Sequence, residues 1–205
     1  MQESNNRFEI LAKSWDSKPQ RVKGAMSFAS KVKELLPEDI SAFHTLDYGC
    51  GTGLVSFCFS HDVKSIDGLD NSTSMVEVYN QKAKKIGLSN INGFVHNINE
   101  QDLQNQKYDL IVTNMTMHHI KNTQDFISKL SKALKPNGYL AIADLKTEDG
   151  NFHSDNTGVE HFGFDFNDIE QYYKNNNLKN INCNLFEKID KPNNTYEVYY
   201  IIGQK

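Results

Sequence analysis

Two sets of residues have types and spacings that suit chemistry. The first is Leu46-Asp47-Tyr48-Gly49-Cys50-Gly51-Thr52-Gly53. Glycines at this density turn the chain tightly and let backbone N–H groups approach a ligand beside a helix start. Asp70 follows 19 residues after Gly51. A carboxylate there, ending the next strand, can accept both hydroxyls of a ribose. It can also cap a helix, and the two roles are compatible. The G-x-G-x-G spacing is shorter than the G-x-G-x-x-G turn that a pyrophosphate needs, which opposes a nicotinamide-dependent reductase.

The second set is polar and lies further along. It comprises Met115-Thr116-Met117-His118-His119-Ile120, the stretch from Asp144 to His153, and His161-Phe162-Gly163-Phe164-Asp165. His118, His119, Asp144, His153 and His161 are the side chains able to take a proton from a substrate. One of His118 and His119 is expected to reach the site while the other caps a helix or packs below the loop. Residues 145–166 read either as a pocket wall or lid, or as a solvated loop anchored by Phe152, Phe162, Phe164 and Phe166. None of these groups shows the H-x-x-x-H spacing or three-ligand run of a metal site, so no metal is expected. Cys50 and Cys58 lack the setting of a nucleophile.

These residues need a scaffold, and the hydrophobic pattern supplies one. Val22, Ala25, Met26, Ala29, Val32, Leu35 and Leu36 recur at helical spacing until Pro37, and Phe8 to Trp15 suggest a shorter helix before them. From His44 onward, short apolar runs at 45–48, 65–69, 91–96, 108–113 and 138–143 alternate with helical stretches at 54–60, 72–86 and 123–134. Strands alternating with helices imply a doubly wound, mostly parallel α/β sheet. Gly87 and Pro136-Asn137-Gly138 punctuate helix ends, and Asn122 is placed as an N-cap. Asn167 with Glu170 reads as a capping box opening a helix to about Asn176. Runs at 181–187 and 196–202, joined by Pro192-Asn193-Asn194, predict an antiparallel hairpin at the sheet edge. One structural domain is expected, with residues 1–43 as an N-terminal helical cap and 44–205 as the sheet domain.

Composition limits the partners. The chain has 205 residues and a formal charge of −4. Only Arg7 and Arg21 are arginine, against 20 lysines. Scarce arginine and an acidic balance disfavour a nucleic-acid surface, and Lys82, Lys84 and Lys85 read as a solvated helix face. No run approaches the roughly 18 apolar residues of a membrane span, and the first 20 residues lack a signal-peptide core. Three cysteines without a C-x-x-C pair fit a reducing, cytoplasmic setting.

In their order along the chain, the motifs resemble the class I S-adenosylmethionine-dependent methyltransferases. Asp47 to Gly53 looks like that family's first motif, and Leu69-Asp70-Asn71-Ser72 with Met75 is similar to its second-strand motif. Tyr108 to Val112 resembles the fourth strand, Leu134 to Gly138 the turn before the fifth, and the terminal hairpin the reversed seventh strand of a Rossmann-like, seven-stranded sheet. The resemblance implies S-adenosylmethionine as cofactor. It implies that Gly49, Cys50, Gly51 and Gly53 line the methionine part with Asp47 and Asn114. Asp70 would bind the ribose, and Asn71 and Met75 would flank the adenine. Where the family often has an Asp, this chain has Asn97-Ile98-Asn99, with Asn97 as the adenine contact. Asn114 lacks the Pro-Pro-Tyr/Phe that follows it in amide and amino-group enzymes. The expected function is methyl transfer to a small-molecule acceptor, the alternatives being an RNA or protein methyltransferase and a non-catalytic binder of the cofactor. The sequence leaves the accepting atom and the oligomeric state open.

Overall fold

A computed structural model describes residues 2–205, with side chains from Arg7 onward. The elements in chain order are α1 (Gln2–Leu11), a 3₁₀ stretch (Ala12–Ser17), α2 (Pro19–Leu35), β1 (His44–Tyr48), α3 (Leu54–Phe59), β2 (Ser65–Asp70) and α4 (Thr73–Lys85). They continue with β3 (Ile91–Val95), β4 (Tyr108–Asn114), a 3₁₀ turn (Met117–His119), α5 (Thr123–Ala133), β5 (Leu134–Leu145), α6 (Phe166–Asn175), β6 (Lys179–Lys191) and β7 (Asn194–Gln204). The sheet order is β3-β2-β1-β4-β5-β7-β6. The first five strands are parallel, while β7 runs antiparallel to both β5 and β6. Strand order reverses between β1 and β4, and a crevice at the carboxyl ends of the strands follows from that reversal.

Alternation of side chains across each strand divides the core into two layers. Ile111, Leu140, Ile142, Tyr199 and Ile201 face α5 and α6, meeting Phe126, Leu130, Ile169 and Tyr173. Their neighbours Leu110, Val112, Ala141, Ala143, Tyr200 and Ile202 face the opposite layer, with Phe28, Val32, Val55, Phe59 and Tyr79. Both faces of the central strands are buried, which is why they read as continuous apolar runs. Among the described residues no helix is long and apolar enough to cross a membrane.

The expected N-terminal cap divides in two. Phe28, Ala29 and Val32 of α2 are within the sheet core, so α2 is a layer of the sandwich rather than a cover. Only α1 and the following 3₁₀ stretch lie toward the crevice. Two further boundaries differ from the sequence pattern. Asp165, not Asn167, caps α6, because its side chain accepts from the Asn167 N–H. β5 starts at Leu134 rather than Gly138: Leu134 pairs with Tyr108, and the ladder resumes at Leu110 and Tyr139. Between them Pro136 has no N–H to donate and Asn137 takes φ 66°.

Candidate active site

The crevice is assembled from loops that leave the carboxyl ends of β1, β2, β3, β4 and β5. After β1, Gly49, Gly51 and Gly53 all have positive φ. At Gly49 space is decisive as well as φ: a Cβ there would lie 2.3 Å from the Thr116 side chain. The loop after β4 therefore sits directly on the glycine loop. At Gly51 the opposite holds. A Cβ would meet only Met75 Sδ, at 3.9 Å, so the space over this residue is open.

Two carboxylates fix the glycine loop. Asp47 is buried, and one oxygen accepts from the Ser56 N–H at 3.0 Å and its hydroxyl at 2.6 Å. Burial pushes the Asp47 carboxyl up to about 6, against the lowering effect of Ser56. Asp70 accepts from Gly51 N at 2.8 Å through one oxygen and from Ser72 N at 2.9 Å through the other. Its carboxyl is raised by burial despite those two donors. Ser72 in turn caps α4 by accepting from Met75 N, which brings Met75 beneath the open space. Cys50 is buried and its thiol is pushed well above its ordinary value by burial, then by the nearby Asp70 charge. That opposes a nucleophilic role.

Beyond β3, Tyr48 accepts from Ile98 N at 3.0 Å and so ties this loop to β1. Asn97 forms a local turn, its side chain accepting from Asn99 N at 3.1 Å. Asn71 is exposed at the crevice edge, and Asn114 ends β4 half-buried. The cofactor candidates thus follow the carboxyl ends of β1, β2, β3 and β4.

The five polar candidates separate by their partners. Asp144 and His118 are fully buried against each other, with His118 Nδ1 donating to Asp144 at 2.7 Å. Asp144 also accepts from His118 N at 3.1 Å and Leu145 N at 2.8 Å. Burial alone would raise this carboxyl, but the His118 ring and these donors hold it below its ordinary value. His161 is engaged through Nε2 with the Ile120 carbonyl at 3.0 Å, beneath the loop. His119 donates from Nδ1 to Gly158 O at 2.7 Å, which leaves Nε2 as its acceptor. His153 keeps a buried Nε2 with no partner. The three rings of His118, His119 and His153 pack together, with centroids 4.1 Å apart for His118 and His119 and 5.0 Å for His118 and His153. Burial, then the His118 ring, lowers His119 to about 4. Burial, then the His118 and His119 rings, lowers His153 to about 3. Two neutral imidazoles therefore lie side by side, and the buried, hydrogen-bonded His118–Asp144 pair stands behind them. Among the described residues no three metal-ligating side chains converge on one point.

The N-terminal segment contributes residues that sequence reasoning missed. Phe8 packs edge-on against His119 with centroids 5.3 Å apart. Glu9, next to it, accepts from Ser74 N at 2.9 Å, on the α4 side. Arg7 donates to Asp155 O at 2.9 Å in the loop after β5. Asp16 pairs with Lys82 at 2.6 Å and accepts from the Thr52 hydroxyl. One turn of α1 thus spans the crevice from side to side. The available sequence signal was Glu9 and Asp16 within the segment read as a helical cap. Nothing local pointed to their partners.

Known proteins match this arrangement. A family model described as a methyltransferase domain matches residues 40–199. The chain is 38% identical over 155 residues to an uncharacterized methyltransferase of Schizosaccharomyces pombe, covering 68% of this chain and 55% of that protein. It is 32% identical over 112 residues to the ubiquinone biosynthesis O-methyltransferase of Rickettsia conorii, 55% of this chain and 38% of that one. The chain spans about half the length, or less, of these curated relatives. Among solved structures it is similar to YcgJ of Bacillus subtilis, with a TM-score of 0.73 at 16% identity over 87% of this chain and 97% of that one. It is also similar to Haemonchus contortus phosphoethanolamine N-methyltransferase 2 in complex with S-adenosyl-L-methionine, with a TM-score of 0.69 at 16% identity over 85% of this chain and 51% of that one. With the sheet order, the glycine loop and a family match over most of its length, the chain belongs to the class I S-adenosylmethionine-dependent methyltransferases.

Proposed function

We propose that the protein transfers a methyl group from S-adenosylmethionine to a small-molecule acceptor by in-line displacement. The residues fit the cofactor on two counts. The space over Gly51 is open beside Met75 and Asp70, and both Asp70 oxygens keep lone pairs after accepting from Gly51 and Ser72. Asp70 would hold the ribose hydroxyls, with Asn71, Met75, Asn97 and Ile98 around the adenine. The loop of Gly49, Cys50, Gly51 and Gly53, with Asp47 and Asn114, would hold the methionine end.

When bound, S-adenosylmethionine supplies a methyl group that its sulfonium already makes electrophilic. The protein's own work is then to bind, align and take a proton if the acceptor carries one. His119 Nε2, left as an acceptor by the bond from Nδ1, is the atom placed to receive it, while His153 Nε2 is buried beside it. The buried Asp144–His118 pair positions their rings, and His161 holds the loop below. Asp144, His118 and His161 act through other residues.

The observation that carries the small-molecule reading is the roof. α1 meets His119 through Phe8 and the α4 start through Glu9, and Arg7 joins it to the loop after β5. A crevice covered by its own chain suits a substrate that can be enclosed. The similarity to a ubiquinone biosynthesis O-methyltransferase supports the same reading. Calorimetry with S-adenosylhomocysteine tests it. Binding to the intact protein is expected, weakened about tenfold or more in Asp70→Ala by the loss of charge-assisted hydrogen bonds. Absence of binding to the intact protein would sink the reading.

A further inference from the structure

The chain has only two arginines, and the fold brings both to the same rim of the crevice. Arg21 lies over the Trp15 ring, 3.4 Å from its centroid, and Trp15 packs on Phe8 at 5.7 Å. Burial, then the charge of Arg7, lowers the Arg21 guanidinium, with Asp16 opposing. Across the crevice mouth, Lys191 at the end of β6 sits over the Phe152 ring, 4.2 Å from its centroid, and donates to the Phe152 carbonyl. Burial, then the charge of Lys18, lowers the Lys191 ammonium, with Glu148 opposing and Arg7 adding to the effect.

Arg7 and Lys191 flank the two neutral histidines. Phe8, beside Arg7, packs on His119. Phe152, beneath Lys191, packs edge-on against His153 with centroids 4.8 Å apart. The His119 and His153 rings are 6.0 Å apart, and the charges of Arg7 and Lys191 both reach His153.

The neighbouring acids accept hydrogen bonds within their own loops yet keep their charge, Asp155 acting on Arg7 and Glu148 on Lys191 without a direct ion pair. Glu148 accepts from the N–H groups of Gly150, Asn151 and Phe152. Asp149 accepts from Asn151 N and the Tyr196 hydroxyl, and Asp155 from Thr157 N. Asp16 is bound to Thr52 and Lys82, and Asp144 to His118. Among the described residues, Arg7, Lys18, Arg21 and Lys191 enter no ion pair within 4.0 Å. Arg7 and Lys191 bond to backbone carbonyls instead. Gathering like charges costs Coulomb energy that a neutral ligand would leave in place. An anion between them would remove it.

Resting on the methyltransferase reading, we propose that the acceptor is a small organic anion whose carboxylate or phosphate lies between Arg7 and Lys191, with its accepting atom beside His119 and His153. The rings of Phe8, Phe152 and the two histidines suit a planar body behind the charged group.

The test starts with protein saturated with S-adenosylhomocysteine, since failure at that step is failure of the methyltransferase reading alone. Sodium benzoate, benzamide and inorganic phosphate are then titrated at constant ionic strength, with binding read by calorimetry. Benzoate, phosphate or both should bind, and benzamide should bind at least about tenfold more weakly than the better anion. Benzoate alone points to a carboxylic acid, phosphate alone to a phosphomonoester. Arg7→Gln and Lys191→Gln, on separate elements, should each weaken the anion about tenfold, and Arg7→Lys and Lys191→Arg should restore it. Equal binding of benzoate and benzamide, no anion binding to the loaded wild type, or anion binding unchanged in both glutamine variants would overturn the proposal.

Discussion

Removing the Asp144 carboxylate separates a buried strut from a catalytic base. Asp144 is fully buried and accepts three hydrogen bonds, from His118 Nδ1, His118 N and Leu145 N. In Asp144→Ala the two backbone N–H groups lose their acceptor, at about 1–3 kcal/mol each for a buried donor. The His118 ring also loses its partner. Breaking a buried pair from one side costs about 3–5 kcal/mol, and that is the expected loss. Asp144→Asn keeps one oxygen for His118 Nδ1 and Leu145 N, but turns an amide N–H toward His118 N. About half the loss is expected, near 2 kcal/mol for one unsatisfied donor. Urea unfolding of the two variants, of His118→Ala and of the double variant gives the coupling, expected above about 1 kcal/mol for groups in direct contact. A base exposed to substrate would behave differently, with Asp144→Asn as stable as wild type. An Asp144→Ala loss below about 1 kcal/mol, or additive effects in the double variant, would refute the strut.

Two further outcomes follow from the same geometry. Gly49→Ala should lose S-adenosylhomocysteine binding and stability, because φ is 69° and the new Cβ would lie 2.3 Å from Thr116. Adding Thr116→Gly should recover the steric part in calorimetry and urea unfolding but leave about 1–2 kcal/mol of backbone strain; full recovery would contradict it. His119, held at about 4 in the fold, takes up a proton in the unfolded chain below about 6.5. Its contribution to stability is therefore present above about pH 6.5 and lost as pH falls toward 4, by about 3 kcal/mol in total. Asp47, raised to about 6, slopes the other way in the same window and flattens the wild-type curve. His119→Asn isolates the histidine: its urea-derived stability should fall less between pH 7 and pH 4.5 than that of wild type. Parallel curves would count against the buried, neutral imidazole.

The glycine loop and Asp70 were legible because their work is local. Positive φ at Gly49, Gly51 and Gly53 and a carboxylate at a strand end are properties of short stretches, and the strand–helix alternation around them follows from burial of both sheet faces. The division of labour among the five polar candidates was not legible. His118 and His119 are adjacent in one 3₁₀ turn, yet one faces Asp144, 26 positions on, and the other Gly158 O. Sequence spacing cannot order such contacts; packing of β4 against β5 does. The same holds for residues 1–43. Periodicity identified helices, but which face meets the sheet and which meets the crevice depends on partners in β6, α3 and α4.

Charge illustrates the limit most sharply. A net charge of −4 and two arginines argue against a nucleic-acid surface, and that argument concerns the average surface. The fold then sets Arg7, Arg21, Lys18 and Lys191 around one opening while the loop after β5 engages its own carboxylates with backbone donors. A low count of arginines is therefore compatible with cations gathered at one place. Arg7 and Lys191 come after burial and the His118 and His119 rings among the causes that depress His153, so an anion lying between them would offset only the smaller part of that depression.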